Sequence, residues 1–187
     1  VAVRQSQRVS HLAHELFELA KLEYDEVKPN FEAFFVQELI QDVVQKFELA
    51  ANSRNIQVQA SFAQGIPMVY ADIAMIERVL TNLIENALRH TPECGKITLA
   101  LGQRDGDVTV NVSDTGSGIA EEHLASLFDR GSPLRQSSGK SHGGGGLGLL
   151  ISKRILQLHG GTIEALNANC GAVFVFNLPV LDGTLTQ

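Results

Sequence analysis

The stretch DVTVNVSDTGSG at residues 107–118 decides the fold of this chain. Val108, Val110 and Val112 alternate with polar residues, which predicts a strand with one buried face. Asp114 falls on the same face as the valines, so its carboxylate lies in register with the core and needs a hydrogen-bond donor. Gly116 and Gly118 then let a ligand approach the backbone closely. The end of this strand is therefore predicted to accept a hydrogen bond from a group such as the amine of adenine.

Two other interpretations of this strand end remain. An aspartate there can simply form a local turn with its own backbone. Asp-Thr-Gly-Ser after an apolar strand is also the signature of aspartic proteases, whose chemistry requires a second carboxylate nearby. A chain with one copy would have to be a mostly β homodimer, and the helical pattern described below argues against that.

The second informative stretch is IAMIERVLTNLIENALRH at residues 73–90, which predicts an amphipathic helix. Its apolar residues form one stripe: Ile76, Val79, Leu80, Leu83, Ile84, Ala87 and Leu88. Its polar residues form another: Asn82, Glu85, Asn86, Arg89 and His90. A solvated face is the ordinary explanation, but asparagine disfavours helices because its amide competes for backbone groups. Two asparagines one turn apart therefore indicate a binding role, and an amide oxygen is a suitable ligand for Mg²⁺.

A glycine-rich stretch precedes a further predicted helix over residues 149–159. Gly143, Gly144, Gly145, Gly146, Leu147 and Gly148 lead directly into its apolar periodicity. Unpaired N–H groups at such a helix start bind phosphate, with the helix dipole assisting. A flexible linker is the alternative. A dinucleotide-binding fold is disfavoured because a polar loop, rather than a strand, comes before the glycines.

The remaining patterns predict an α+β fold, a two-layer sandwich in which helices cover one face of a mixed, largely antiparallel sheet. A stub of polar helix precedes it, and a hairpin turn is expected at Asp105-Gly106. Helices are predicted over residues 6–28 and 38–54, and strands over 31–36, 56–60, 68–70, 96–103, 108–113, 162–166 and 172–179. The net charge of −6 disfavours a nucleic-acid partner. No membrane span or signal peptide is evident, and a cytoplasmic location is expected for this domain.

These stretches, in this order, resemble the catalytic ATP-binding domain of sensor histidine kinases, in the superfamily of gyrase B, MutL and the heat-shock chaperones. The resemblance covers residues 31–179 and implies ATP and Mg²⁺ as ligands. It assigns the metal to Asn86, phosphate to Arg89, the flank of the adenine to His90, and the adenine amine to Asp114, with Gly118 beside it. The polar loop over residues 129–142 resembles the nucleotide lid, where Arg130 and Arg135 are candidates for phosphate contact.

Position 82 separates the branches of the superfamily. The ATPases place a glutamate there as general base for water, whereas Asn82 takes no proton. A neutral histidine needs no base to attack phosphorus. The resemblance therefore favours phosphotransfer to histidine over hydrolysis, with Asn82, Glu85, Asn86 and Arg89 as the catalytic set. A superfamily ATPase, a serine kinase of the same fold and a scaffolding module that has lost phosphotransfer are the alternatives.

The N-terminal helix is interpreted as the second helix of a dimerisation domain. Val9, Leu12, Leu16 and Leu19 recur at steps of three and four, as in a short coiled coil. His14-Glu15 resembles the acceptor pair of the family only superficially, so the acceptor histidine is expected upstream of this sequence. The expected division is residues 1–29 for the helix, 30–182 for the catalytic domain and 183–187 for a tail. The expected partners are a phosphoacceptor helix, a response regulator and a second copy of a longer, possibly membrane-anchored protein.

Overall fold

A computed structural model describes residues 2–24, 27–129 and 147–180 of the chain. Five helices and seven strands lie in these ranges. The helices are α1 (Ala2–Glu23), α2 (Val36–Asn52), α3 (Ile73–His90), α4 (Glu121–Leu124) and α5 (Leu147–Leu158). The strands are β1 (Glu32–Phe34), β2 (Gln57–Phe62), β3 (Val69–Ala71), β4 (Lys96–Arg104), β5 (Asp107–Asp114), β6 (Ile163–Asn167) and β7 (Ala172–Leu178).

The main sheet has the strand order β2-β4-β5-β7-β6. Strand β2 is parallel to β4, and the other three pairings are antiparallel. Strands β1 and β3 form a separate two-stranded sheet. The predicted α+β class, with a mixed and largely antiparallel sheet packed against helices, is confirmed.

The hairpin between β4 and β5 shows how the sequence fixes the sheet register. Asp105 and Gly106 both have positive φ, at 54° and 93°, and Arg104 pairs with Asp107. Such a two-residue turn matches the twist of the flanking strands. The resulting register places Ile97 opposite Asp114, so the carboxylate lies at the end of the hairpin on its buried face.

The core lies between this face and the helices. Every apolar residue predicted for the inner stripe of α3 is buried. Alternate residues of β5 and β7 are buried too, and α2 and α5 flank α3. Helix α3 is central. Asn82 on its polar stripe contacts α5, and its last residue, His90, lies beside the loop that follows β5.

Some predicted boundaries were wrong. Val36, expected in a strand, is the first residue of α2 and is almost fully buried. The strand before it, β1, ends at Phe34, and its one partner among the described residues is the short β3. Helix α5 begins at Leu147 rather than Leu149, and α4 was not predicted. Helix α4 has only four residues and no buried side chain, so it leaves no apolar period to detect.

Helix α1 packs against the catalytic layer through Leu19, a member of the predicted seam, and through Leu22, which is not. Leu19 and Leu22 are buried, whereas Leu16 is 60% exposed. The Arg154 Nε donates to the Leu22 carbonyl at 2.9 Å, and Arg78 of α3 forms a two-point ion pair with Glu18. The helix thus has one face on the domain and an apolar face exposed. Within the described residues, no helix is long and apolar enough to cross a membrane.

Candidate nucleotide site

Both ends of α3 are fixed by side-chain hydrogen bonds. Asp72 is the N-cap of its start, and the Asp72 carboxylate accepts a hydrogen bond from the Met75 N–H at 3.0 Å. At the other end, the Arg54 guanidinium donates to the carbonyls of Leu88 and Thr91. A cation there satisfies carbonyls that lack a helical partner and interacts favourably with the helix dipole. The last turn of α3, with Arg89 and His90, is therefore held in a defined place.

Asp114 is the buried charge of the site. Only 4% of the residue is exposed, as its register with the valines predicts. Its Oδ1 accepts hydrogen bonds from the backbone N–H groups of Gly116 at 2.8 Å and Ala172 at 3.4 Å. Among the described residues, both bonds go to Oδ1, so the carboxylate is oriented while Oδ2 remains for a ligand. This arrangement suits a group that donates a hydrogen bond, as the adenine amine does.

The glycines around Asp114 are required by close backbone approach. A Cβ on Gly116 would lie 2.5 Å from the His90 carbonyl oxygen, and one on Gly171 would lie 2.0 Å from the Asp114 carbonyl oxygen. Both distances are far below van der Waals contact. The end of β5 is thereby packed between the end of α3 and the β6–β7 hairpin, at distances that only glycine permits.

The loop after Gly118 is held by a side chain that the sequence did not reveal. The Asn167 amide accepts from the Ile119 N–H at 2.8 Å and donates to the Ile119 carbonyl at 2.6 Å. Gly118 has a φ of 72°, and a Cβ there would lie 3.0 Å from the Asn167 oxygen. Asn167 thus anchors this loop to the end of β6 and keeps the glycine turn beside the candidate site.

The polar stripe of α3 lies along the same side. Glu85, Arg89 and His90 are exposed, while Asn82 and Asn86 are half-buried. Desolvation by the surrounding protein and the Arg89 guanidinium lower the pKa of His90 from its ordinary value, and Asp114 acts in the opposite direction. The exposed imidazole is therefore largely neutral at pH 7, which suits a ring packed beside a base.

Asn82 joins α3 to the start of α5. Its Nδ2 donates to the Gly148 carbonyl at 3.0 Å and to the Ser152 hydroxyl at 3.2 Å. Leu147 is buried, and Gly148 follows it in the first turn of α5. The helix start proposed to bind phosphate is therefore attached to the helix that carries Asn86.

The structure places the described predicted residues in two groups along α3. His90, Asp114, Gly116 and Gly118 lie at the end of β5, and Asn82 contacts Gly148 where α5 begins. Arg130, Arg135 and Gly143 to Gly146 lie outside the described residues, so their roles stay predictions. The sequence missed Arg54, Asn167 and Ser152, since each acts through hydrogen bonds to residues distant in sequence. A serine inside the apolar helix α5 was the one available signal.

A family model fits this arrangement. Residues 71–182 match the model described as histidine kinase-, DNA gyrase B- and HSP90-like ATPase. The chain belongs to this family of nucleotide-binding domains.

Curated relatives narrow the resemblance to sensor kinases. The chain is 32% identical over 169 residues to the sensor protein KdpD of Clostridium acetobutylicum, covering 90% of this chain and 19% of that protein. It is 36% identical over 149 residues to the adaptive-response sensory kinase SasA of Microcystis aeruginosa, covering 79% of this chain and 38% of that protein. The chain thus spans well under half the length of these relatives.

Solved structures agree with the sequence comparison. The catalytic domain of histidine kinase ThkA superposes with a TM-score of 0.72 at 33% identity, covering 80% of this chain and 95% of that one. Full-length ShkA in complex with AMPPNP superposes with a TM-score of 0.82 at 26% identity, covering 95% of this chain and 37% of that one. ThkA in complex with the response regulator TrrA superposes with a TM-score of 0.76 at 31% identity, covering 94% of this chain and 49% of that one. The expected resemblance to the catalytic ATP-binding domain of sensor histidine kinases is confirmed.

Proposed function

We propose that this chain is the ATP-binding catalytic part of a two-component sensor histidine kinase. It transfers the γ-phosphate of ATP to a histidine on a dimerisation domain, from which a response regulator receives it. The observation that carries this proposal is the buried Asp114, whose Oδ1 is held by two backbone N–H groups while Oδ2 is left for a donor. The similarity to ShkA, solved in complex with AMPPNP, supports nucleotide binding by a domain of this fold.

The proposed roles follow the chemistry of each group. Asp114 accepts the adenine amine, and the neutral His90 flanks the base. Asn86 would offer an amide oxygen to Mg²⁺, which would neutralise phosphate charge when bound. Arg89 contacts phosphate with its guanidinium. Backbone N–H groups from Gly143 to Gly148, with Arg130 or Arg135 of the lid, complete the phosphate contacts.

Transfer to histidine, rather than hydrolysis, is proposed from Asn82. An amide does not take a proton from water, and here its N–H groups donate to α5. A neutral imidazole attacks phosphorus with its own lone pair, so the domain contributes positioning and charge neutralisation. Glu85, exposed on the same stripe, is the remaining candidate carboxylate for interaction with the acceptor.

Helix α1 is proposed as the contact with the acceptor helix and, through it, with a second copy of the protein. Its outward face carries Leu16 and Phe17, which are 60% and 59% exposed, and the Lys21 ammonium lies 4.5 Å from the Phe17 ring centroid. Two large apolar side chains side by side on a helix favour burial against a partner helix. We assign residues 1–29 to this helix and its linker, 30–182 to the catalytic domain and 183–187 to a tail. The domain would act in the cytoplasm, where ATP is available.

The response regulator is proposed as the final phosphate acceptor. ThkA, solved in complex with the response regulator TrrA, is similar to this chain, and the similarity covers 94% of this chain. The phosphoacceptor helix and the regulator are therefore the expected protein partners.

Phosphotransfer in trans tests the proposal. The chain is mixed with Mg²⁺, ATP labelled at the γ-phosphate and a separate protein carrying a sensor-kinase acceptor helix. Acid-labile label on that protein, with very slow hydrolysis by the chain alone, is the expected result. Rapid hydrolysis by the chain alone would assign it to the ATPase branch instead. Label on His14 would show that the acceptor lies on α1.

A further inference from the structure

A closed triangle of hydrogen bonds connects α3 with the first turn of α5. The Asn82 amide donates to both the Gly148 carbonyl and the Ser152 hydroxyl, at 3.0 and 3.2 Å. The Ser152 hydroxyl in turn donates to the same Gly148 carbonyl at 2.8 Å. Both N–H bonds of the amide are used, and the hydroxyl is satisfied as donor and acceptor.

Ser152 is unusual for its place in α5. The residue is fully buried at 0% exposure, next to Ile151 and one turn from Ile155 and Leu156, which are also buried. A hydroxyl in such surroundings is costly unless its hydrogen bonds are made. An aliphatic residue would serve packing alone, so the polar group is explained by its bond to Asn82.

The approach of the two helices depends on Gly148 as well. A Cβ at that position would lie 3.3 Å from the Asn82 Cγ, tighter than ordinary contact. The amide has only one suitable orientation, because turning it over would place its oxygen against the carbonyl oxygen. A carboxylate at position 82 would create the same repulsion. This gives a structural reason for asparagine at position 82, independent of its inability to act as a base.

We propose that Ser152 is a positioning residue for phosphate binding, acting through Asn82 and Gly148. The triangle holds the N–H groups at the start of α5 at a fixed distance from Asn86, which lies one turn further along α3. In the proposed function these two helices together would hold phosphate and Mg²⁺, whereas the end of β5 would hold adenine. The triangle therefore sets affinity for the polyphosphate and leaves adenine recognition unchanged. This inference rests on the proposed function.

The test compares nucleotides that share adenine and differ in phosphate. Dissociation constants for AMP and ATP with Mg²⁺ are measured by calorimetry for the wild type and Ser152→Ala. The loss of one neutral hydrogen bond predicts a fall of about fivefold in ATP affinity and less than about twofold for AMP. Ser53→Ala is the matched control, because its hydroxyl also donates to a helical carbonyl, that of Ala50 at 2.8 Å, but at the end of α2. It should change neither affinity.

A second variant and a double mutant complete the test. Asn82→Asp keeps the shape of the side chain and replaces its donors by acceptors, so the ratio of ATP to AMP affinity should fall by at least about tenfold. Asn82 is only half-buried, so Asn82→Asp can be measured even if Ser152→Ala does not fold. In the double mutant of Ser152→Ala and Asn82→Ala, the fold loss in ATP affinity should be smaller than the product of the two single-mutant losses. Each single mutation already breaks the same triangle of hydrogen bonds.

Three results would overturn the proposed role of Ser152. Equal losses for AMP and ATP would overturn the inference and reduce Ser152 to a structural role. Independent, multiplying losses in the double mutant would overturn it as well. A wild-type chain that binds ATP normally while either result is found leaves the proposed function in place, whereas a wild type that binds no adenine nucleotide overturns both.

Discussion

Asp114→Asn tests the assignment of adenine with little disturbance of the fold. Oδ1 accepts from Gly116 and Ala172, and an asparagine oxygen at the same place can keep both bonds. The amide nitrogen then takes the position of Oδ2. Where the carboxylate accepts the adenine amine, the amide nitrogen meets it donor against donor.

The expected loss follows from the charge of the acceptor. A hydrogen bond to a charged group contributes about 1.5–3 kcal/mol, which corresponds to a fall in ATP affinity of about 10- to 150-fold. Folding should change far less, because no buried donor is left without an acceptor. Asp114→Ala is the contrast: it leaves two N–H groups unpaired, at about 1–3 kcal/mol, and should lower Tm by several degrees.

The assay is calorimetric titration of the wild type and Asp114→Asn with ATP and with inosine triphosphate. The base of inosine triphosphate has a carbonyl where adenine has its amine. Wild type should prefer ATP strongly. Asp114→Asn should lose most of that preference, since its amide nitrogen can donate to the carbonyl. If a folded Asp114→Asn binds ATP as tightly as wild type, or if both nucleotides weaken by one factor, Asp114 does not contact the adenine amine and the reasoning is refuted.

Three further predictions concern the metal, the glycine contacts and pH. Asn86→Ala should reduce ATP affinity more with Mg²⁺ than without it, because the side chain is assigned to the ion; equal losses in the two titrations would indicate packing instead. Gly171→Ala should lower Tm and ATP affinity well beyond Gly65→Ala, since both have positive φ, at 79° and 71°, but only the first places a Cβ against Asp114; similar melting curves for the two would contradict the close approach. The pKa of His90 is lowered below its ordinary value of 6.5, so the folded state binds fewer protons than the unfolded state just below that pH. Unfolding free energy should therefore fall as pH drops through about 6.5, and fall less in His90→Gln when both are measured by urea denaturation.

Prediction from sequence agrees best with the structure where a short periodic pattern of residues determines the local conformation and its buried side. The inner stripe of α3 is buried in full, because a helix of that period has one apolar side. Asp105-Gly106 forms the hairpin turn since few other residue pairs adopt positive φ twice. The alternation of β5 predicts that Asp114 lies on the core face, and the residue is buried there. These are consequences of backbone geometry within a few residues.

Contacts between distant elements could not be predicted in this way. Asn82 lies on the expected polar stripe, but its bonds to Gly148 and Ser152 depend on how α5 packs across α3. His159 is similar: its Nε2 accepts from the Asp72 N–H at 3.0 Å, linking the end of α5 to the start of α3.

Helix α1 gives the clearest division between the two sources of information. The sequence by itself determined that residues near the N-terminus form a helix with recurring leucines. Only tertiary structure decided that Leu19 faces the catalytic domain while Leu16 faces outward. The physical reason is that a period defines which residues share a side of an element, whereas the partner of that side is chosen by the packing of the whole chain.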